Sequence, residues 1–303
     1  MNLTFLETFI WVAKLKSFTL AADRMHATQA AVSSRIASLE RELGVRLFDR
    51  EPREVRLTPD GHFALERAER LVKQAQEFVS EIAGEERLRG TVRIGVIDTI
   101  SHSWLIDLIK RSKMRYPQIN LELTADTSLR LTDDLIANEL DVALMMGPLL
   151  RQDIVNVDLC TYSCRWVGSP ELGLHGRPLN VDDLAGFPIL SFPKGAQPYE
   201  ALRSFFHRQL EADTVLYATN SLATIIRMAC DGIGVAALPS VVTWRERGRG
   251  ELVELDVRQT FPPLSFHAVH VNSPNMMLPA TIAGLAREVA REFCERTDSA
   301  LAW

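Results

Sequence analysis

The stretch 17–57, SFTLAADRMHATQAAVSSRIASLERELGVRLFDREPREVRL, constrains the fold more than any other part of the chain. Two helical patterns stand close together, separated by a polar break at His26-Ala27-Thr28. In the first, Thr19 is expected to cap a short helix carrying Leu20, Ala21, Ala22 and Met25. In the second, Thr28 or Gln29 opens a longer helix. Its Ala31, Val32, Ile36, Leu39 and Leu43 recur every three or four residues and so share one face. The opposite face carries Gln29, Ala30, Ser33, Ser34, Arg35 and Ser38. These side chains are mostly short and polar, so the helix can enter a duplex major groove and present donors and acceptors to base edges and phosphates. The pattern predicts a helix-turn-helix with Gln29 to Leu43 as the reading helix.

Charge agrees with this once its distribution is considered. The net charge of −5 argues against a duplex partner for the chain as a whole. Up to Arg89, however, there are 14 basic and 14 acidic residues, and after it 20 and 25. Arg46, Arg50, Arg53 and Arg56 cluster directly after the reading helix, where a wing of two short strands would meet phosphate. An Arg cluster elsewhere would read as a solvated face. Acidity in the remainder keeps non-specific duplex affinity low without cancelling local contacts.

Ahead of this motif, Leu3, Leu6, Phe9, Ile10 and Ala13 form the stripe of a first helix. With Glu7 in its pattern and no basic n-region or cleavage site, it does not read as a signal peptide. No run is long and apolar enough to span a membrane. After the reading helix, Gly44 is the expected helix stop, and Val45, Leu47 and Phe48 return to the core. Thr58-Pro59-Asp60-Gly61 starts a new helix. From there to about Arg89, Ala64, Ala68, Leu71, Ala75, Phe78 and Ile82 form a heptad seam, with charges filling the other positions. This predicts a long helix that pairs with a second chain rather than with its own globular domain. Gly84 to Gly90 reads as a hinge.

The periodicity then changes. Strands are expected at 91–97, 120–125 and 141–146, with helices at 103–115 and 129–139. A second series has strands at 162–168, 188–192, 215–218 and 235–238, helices at 199–210 and 221–230, a last strand at 264–271 and a closing helix at 278–295. The β-α-β order predicts two α/β subdomains with parallel sheets, joined by crossing segments near Val155 to Val167 and His267 to Val271. A bilobed module of this kind binds a small ligand where strand ends meet helix starts. Cys160 and Cys164 are expected on one side of one strand. With Cys230 and Cys294 they read as buried thiols, with redox sensing as the alternative and no zinc spacing among them.

Over essentially its whole length the chain resembles a LysR-type transcriptional regulator. The resemblance is carried by Leu39, Glu40, Leu43, Gly44, Leu47, Phe48 and Arg50, by LTPDG at Leu57 to Gly61, by ELDVAL at Glu139 to Leu144 and by ATNSLATIIRMACDGIGVAALP at Ala218 to Pro239. One departure is Ala30 after Gln29, where the family often has a Gln-Pro pair. The resemblance implies an α/β protein with an all-α N-terminal part: a winged helix-turn-helix in residues 1–58 and a linker and dimerisation helix with hinge in 59–89. A bilobed, periplasmic-binding-protein-like effector domain fills 90–303, with subdomains at about 90–161 plus 268–303 and 162–267. It implies a cytoplasmic regulator that binds promoter DNA as a homodimer or homotetramer and responds to a small-molecule effector. Beyond that effector no cofactor or metal is expected, and RNA polymerase is a candidate partner.

For DNA, Gln29, Ser33, Ser34 and Arg35 are expected at the groove or its rim, Thr28 at the helix cap with a phosphate, and Arg50, Arg53 and Arg56 on the wing. For the effector, the resemblance points to Thr99, with Ser101 next; Ser128, Phe192, Asn220 and Ser221 occupy matching strand-to-helix junctions. Asp98 would repel an anion there unless it points away or pairs with a base such as Lys194. A cleft enzyme is the first rival, but the chain has no GxSxG, HExxH, P-loop or GxGxxG after a strand. A solute-binding protein is the second, and the attached helix-turn-helix argues against it.

Overall fold

The first helix, α1 (Leu3–Leu15), begins where Asn2 Oδ1 accepts the Thr4 N–H at 2.9 Å and stops at Lys16 in left-handed geometry. The structure is a computed structural model that describes residues 2–25, 27–49, 55–83, 88–151, 153–206, 216–272 and 277–303. It divides into two compact units, one within residues 1–87 and one spanning 88–272 and 278–303.

In the first unit, α1 buries Leu6, Phe9, Ile10, Trp11 and Val12, while Leu3 stays exposed. Helix α2 (Phe18–Arg24) starts earlier than expected, because its cap is Ser17 and not Thr19. The Ser17 backbone is extended, and its hydroxyl accepts the Leu20 N–H at 3.2 Å. That start directs Ala21 and Ala22 inward and leaves Leu20 exposed. Thr28 caps α3 (Gln29–Leu43) through the Ala31 N–H at 3.2 Å. Val32, Ile36 and Leu39 are buried, and Leu43 is exposed where the stripe runs out.

Gly44 ends α3 at φ 72°, with its N–H on the Glu40 carbonyl. The Glu40 carboxylate then accepts the Leu47 and Phe48 N–H groups at 2.7 and 3.3 Å. These bonds fix Leu47 as the first inward residue, so Val45 is exposed rather than buried. Phe48 packs edge-on against Phe9 and Phe18, at 5.6 and 5.8 Å between ring centroids. An antiparallel bridge joins Phe48 to Leu57, and the Asp49 N–H donates to the Arg56 carbonyl at 2.9 Å. This is the base of the expected wing; His26, Arg50 and Arg53 lie outside the described residues.

Helix α4 (Pro59–Ala83) follows, capped by Thr58, whose Oγ1 accepts the Gly61 N–H at 2.9 Å and donates to the Arg46 carbonyl at 2.6 Å. Its 25 residues span roughly 37 Å. Ala68 and Val72 are buried, and Lys14 of α1 pairs with Glu69 at 3.0 Å. Phe63, Leu71 and Phe78 are exposed. Of the expected hinge, 84–87 lie outside the described residues and Arg89 and Gly90 already belong to the first strand.

The second unit runs β1 (Arg89–Val96), α5 (Asp98–Ser101), α6 (Leu105–Arg115), β2 (Gln118–Ala125), α7 (Ser128–Ile136), β3 (Val142–Met146), β4 (Ile154–Tyr162), β5 (Cys164–Gly168), α8 (Val181–Ala185), β6 (Ile189–Ser191), α9 (Gln197–Phe206), β7 (Leu216–Ala218), α10 (Leu222–Cys230), β8 (Val235–Pro239), α11 (Trp244–Gly248), β9 (Val253–Glu254), β10 (Leu264–Val271) and α12 (Met277–Arg296). One sheet has the order β2-β1-β3-β10-β4 and the other β7-β6-β8-β5-β9. In each, the first three strands are parallel and the last two join antiparallel. Residues 207–210 and 215, expected in a helix and a strand, lie outside the described residues.

The crossings correct two expectations. The chain leaves the first sheet at Tyr162 and enters the second at Cys164, with only Ser163 between. Cys160 and Cys164 therefore sit in different sheets, not on one side of one strand. The return crossing is not at His267 to Val271: the whole of β10 lies in the first sheet, with Leu264 already opposite Tyr162. Tyr162 and Phe266 pack at 4.9 Å between centroids in that lobe's core, and Trp166 packs edge-on against Phe206 in the other.

Candidate functional sites

Helix α3 offers a sealed face and an open one. Thr28, Gln29, Ala30, Ser33 and Ser34 are exposed, opposite the buried Val32, Ile36 and Leu39. Arg35 is half-buried and lies close enough to Glu7 of α1 to influence it. Burial pushes the Glu7 carboxyl above its ordinary value, and the Arg35 guanidinium pulls it back. Arg35 thus stands at the edge of the open face, on the side of α1. Arg56 is exposed at the base of the wing.

In the second unit, the carboxyl ends of strands from both sheets open onto one cleft. Its inner cavity, about 170 Å³, is walled by Ile97–Thr99 after β1, Asp126–Leu129 after β2, Met145–Leu149 at the end of β3, Phe192 after β6 and Asn220 after β7. Lys194 and Thr219 line an outer space of about 460 Å³ that shares Asp126, Thr127, Leu129, Ala196 and Asn220 with it. Of the expected effector residues, Thr99, Ser128, Phe192 and Asn220 are on the inner wall. Ser101 and Ser221 are not: the Ser101 hydroxyl donates to the Ile97 carbonyl, and Ser221 caps α10 by accepting the Thr224 N–H at 3.3 Å.

The polar groups of the wall are largely committed within the protein. Ser128 Oγ accepts the Met146 N–H at 3.3 Å, tying α7 to β3, and Thr132 donates to the Ser128 carbonyl at 2.8 Å. Asp126 Oδ1 accepts the Thr127 N–H at 2.7 Å. Asp98 does not pair with Lys194. Its Oδ2 reaches across the cleft to accept the Leu222 N–H, in the first turn of α10, at 3.0 Å. Sequence reasoning missed Asp126, Thr132 and Met145–Leu149. The Gly147-Pro148 pair directly after a buried strand is the signal that marks a strand-end turn at the cleft.

Other groups are inward and inert. Burial pushes the Cys164 thiol up to about 12, and a hydrogen bond with Cys294 together with burial holds the Cys160 thiol well above its ordinary value. On β10, burial lowers the pKa of His267, whose Nε2 lies 3.2 Å from Asp158 Oδ1, and of His270. Among the described residues, no three His, Cys, Asp or Glu side chains gather into a metal-binding group, and no helix is long and apolar enough to cross a membrane.

A helix-turn-helix ahead of a two-lobed α/β unit with a ligand-sized cleft defines a ligand-responsive DNA-binding regulator. Residues 3–62 match the model of the bacterial regulatory helix-turn-helix proteins of the lysR family, and residues 85–292 match that of the LysR substrate binding domain. The chain is 29% identical to the HTH-type transcriptional regulator PtxR of Pseudomonas aeruginosa, over 96% of this chain and 94% of that one. The solved structure of CrgA, a LysR-type transcriptional regulator from Neisseria meningitidis, is 26% identical, with a TM-score of 0.55 over 95% of this chain and 99% of that one. Full-length OxyR from Pseudomonas aeruginosa shares the fold at 23% identity, with a TM-score of 0.62 over 96% and 95% of the two chains. The chain belongs to the LysR family of transcriptional regulators. It has a DNA-binding helix-turn-helix and an effector-binding substrate domain.

Proposed function

We propose that α3 reads promoter DNA through Gln29, Ser33, Ser34 and Arg35, with Thr28 and the helix amides on phosphate and Arg50, Arg53 and Arg56 on the wing. One observation carries this reading: the exposed polar face of α3 lies opposite a face sealed by Val32, Ile36 and Leu39. The exposed Phe63, Leu71 and Phe78 on α4 support pairing of two chains along that helix, giving a homodimer or, through further contacts, a homotetramer with two half-sites. The cleft takes the effector on Thr99, Ser128, Phe192 and Asn220 and acts on promoter binding. The protein works as a regulator in the cytoplasm, and not as an enzyme, with RNA polymerase as a further partner.

Gel shifts with the full chain over varied promoter fragments and salt concentrations test the DNA contact. Arg35→Ala is expected to cost ~1–3 kcal/mol at one base position if it reads a guanine, or weaken all sequences alike if it touches phosphate. Unchanged affinity across the series would remove Arg35 from the interface. For the cleft, compounds that raise the melting temperature are expected to lose that effect in Thr99→Val; hits that persist unchanged would place the effector elsewhere.

A further inference from the structure

The inner cavity has an unusual charge balance. Among the described residues its wall carries two carboxylates, Asp98 and Asp126, and no Lys, Arg or His. The rest of the wall is mainly apolar, with Met145, Met146, Leu149 and Phe192 among its residues. Lys194, two residues after Phe192, is exposed and lines the outer space rather than the inner wall.

Asp98 has a second property. The first turn of α10 is where backbone N–H groups and the helix dipole would favour an incoming anion. The protein's own Asp98 Oδ2 already takes the Leu222 N–H there, so the helix start is neutralised from across the cleft. Asp98 Oδ1 and the Thr99 hydroxyl, by contrast, accept no hydrogen bond among the described residues. Thr99 is 5% exposed, and that residue stands on the cavity wall. A threonine hydroxyl on the cavity wall, next to a carboxylate oxygen that accepts nothing from the described residues, suits a ligand that brings a hydrogen-bond donor.

The geometry points to a small, mainly apolar effector that carries an ammonium or hydroxyl group and no carboxylate, with Asp98 serving as a built-in anion at the start of α10. This rests on the reading that the cavity is the effector site. A carboxylate ligand would have to displace Asp98 from the Leu222 N–H or lie beside two like charges in an apolar pocket. An amine or alcohol places its donor on Asp98 Oδ1, with Asp126 and Thr99 on the same wall, and leaves the bond between the lobes intact.

The test uses the full-length protein and a carbon-matched panel of short aliphatic and phenyl amines, alcohols and carboxylates, read by thermal shift and calorimetric titration. Amines or alcohols are expected to bind the wild type roughly tenfold or more tighter than their matched carboxylates. Asp98→Asn, whose amide oxygen can still accept the Leu222 N–H, is expected to abolish that preference while leaving the unliganded melting temperature close to wild type. The inference is overturned if carboxylates bind the wild type as tightly as amines and alcohols, if no amine or alcohol binds, or if Asp98→Asn leaves the ranking unchanged. Ala196→Trp, which fills the mouth of the cavity, separates the two readings. Binding that survives the filled cavity removes the site itself, whereas binding that is lost in Ala196→Trp but favours carboxylates removes only the charge selection.

Discussion

On α3, Ser33 and Ser34 stand exposed on a helix whose other side is closed by Val32, Ile36 and Leu39. In the cleft, Ser128, Thr132 and Asp98 turn similar short polar groups onto the protein's own backbone. The two regions therefore divide stability and recognition differently. On the helix, folding energy comes from one face and recognition from the other, so substitutions on the open face alter partners without altering the fold. In the cleft one set of hydrogen bonds holds the wall and shapes it, so a change that breaks one of those bonds alters the scaffold and the ligand site together.

The largest break in this comparison is Leu39→Ala. It should cost ~2–5 kcal/mol of stability in denaturant unfolding, because the side chain is fully buried, whereas Ser33→Ala should stay within about 0.5 kcal/mol of wild type. Equal losses for the two would mean that α3 has no open face. Next is Ser128→Ala, expected to cost about 1 kcal/mol through the stranded Met146 N–H. A neutral result would show that the cleft hydroxyls are no more committed than those of α3.

A smaller effect comes from the histidines of β10. Burial lowers the folded pKa of His267 and His270 below 6.5, so the unfolded chain takes up protons first as the pH falls. Their contribution makes stability drop below about pH 6.5 and recover above it. Melting curves of His270→Asn should show a shallower acid-side slope than wild type; a steeper one would contradict the sign. The smallest effect is chemical. The buried Cys164 should resist alkylation in the native protein. Cys294, half-buried and lowered by the Cys160 thiol that hydrogen-bonds to it, should be modified first, as read by peptide mass mapping.

Much of the amino-terminal unit was legible because its determinants are local. Thr28 as a cap, Gly44 as a stop and Thr58-Pro59 as a start each act within one helical turn. Thr19 failed because Ser17 offers the same chemistry one short step earlier, and composition does not choose between them. In the α/β unit, helices and parallel strands followed from periodicity. The change of sheet at Ser163 did not, because a strand pattern that alternates by two continues unbroken across a residue where the hydrogen-bonding partners change. The bond from Asp98 to Leu222 joins residues 124 positions apart, and nothing near either position announces it. The cleft was therefore legible as a set of strand-end junctions, but not as a wall with its own charge balance.

Gly61 also has a mechanical consequence. A Cβ added there would lie 2.1 Å from the Leu47 carbonyl oxygen, which itself accepts the Thr58 N–H at 3.0 Å. The first turn of the long helix is thus pressed against the corner that follows α3, with no side chain to act as a cushion. Any side chain at position 61 would force the start of α4 away from that corner, so the direction in which α4 leaves the reading helix is set by one missing methyl group.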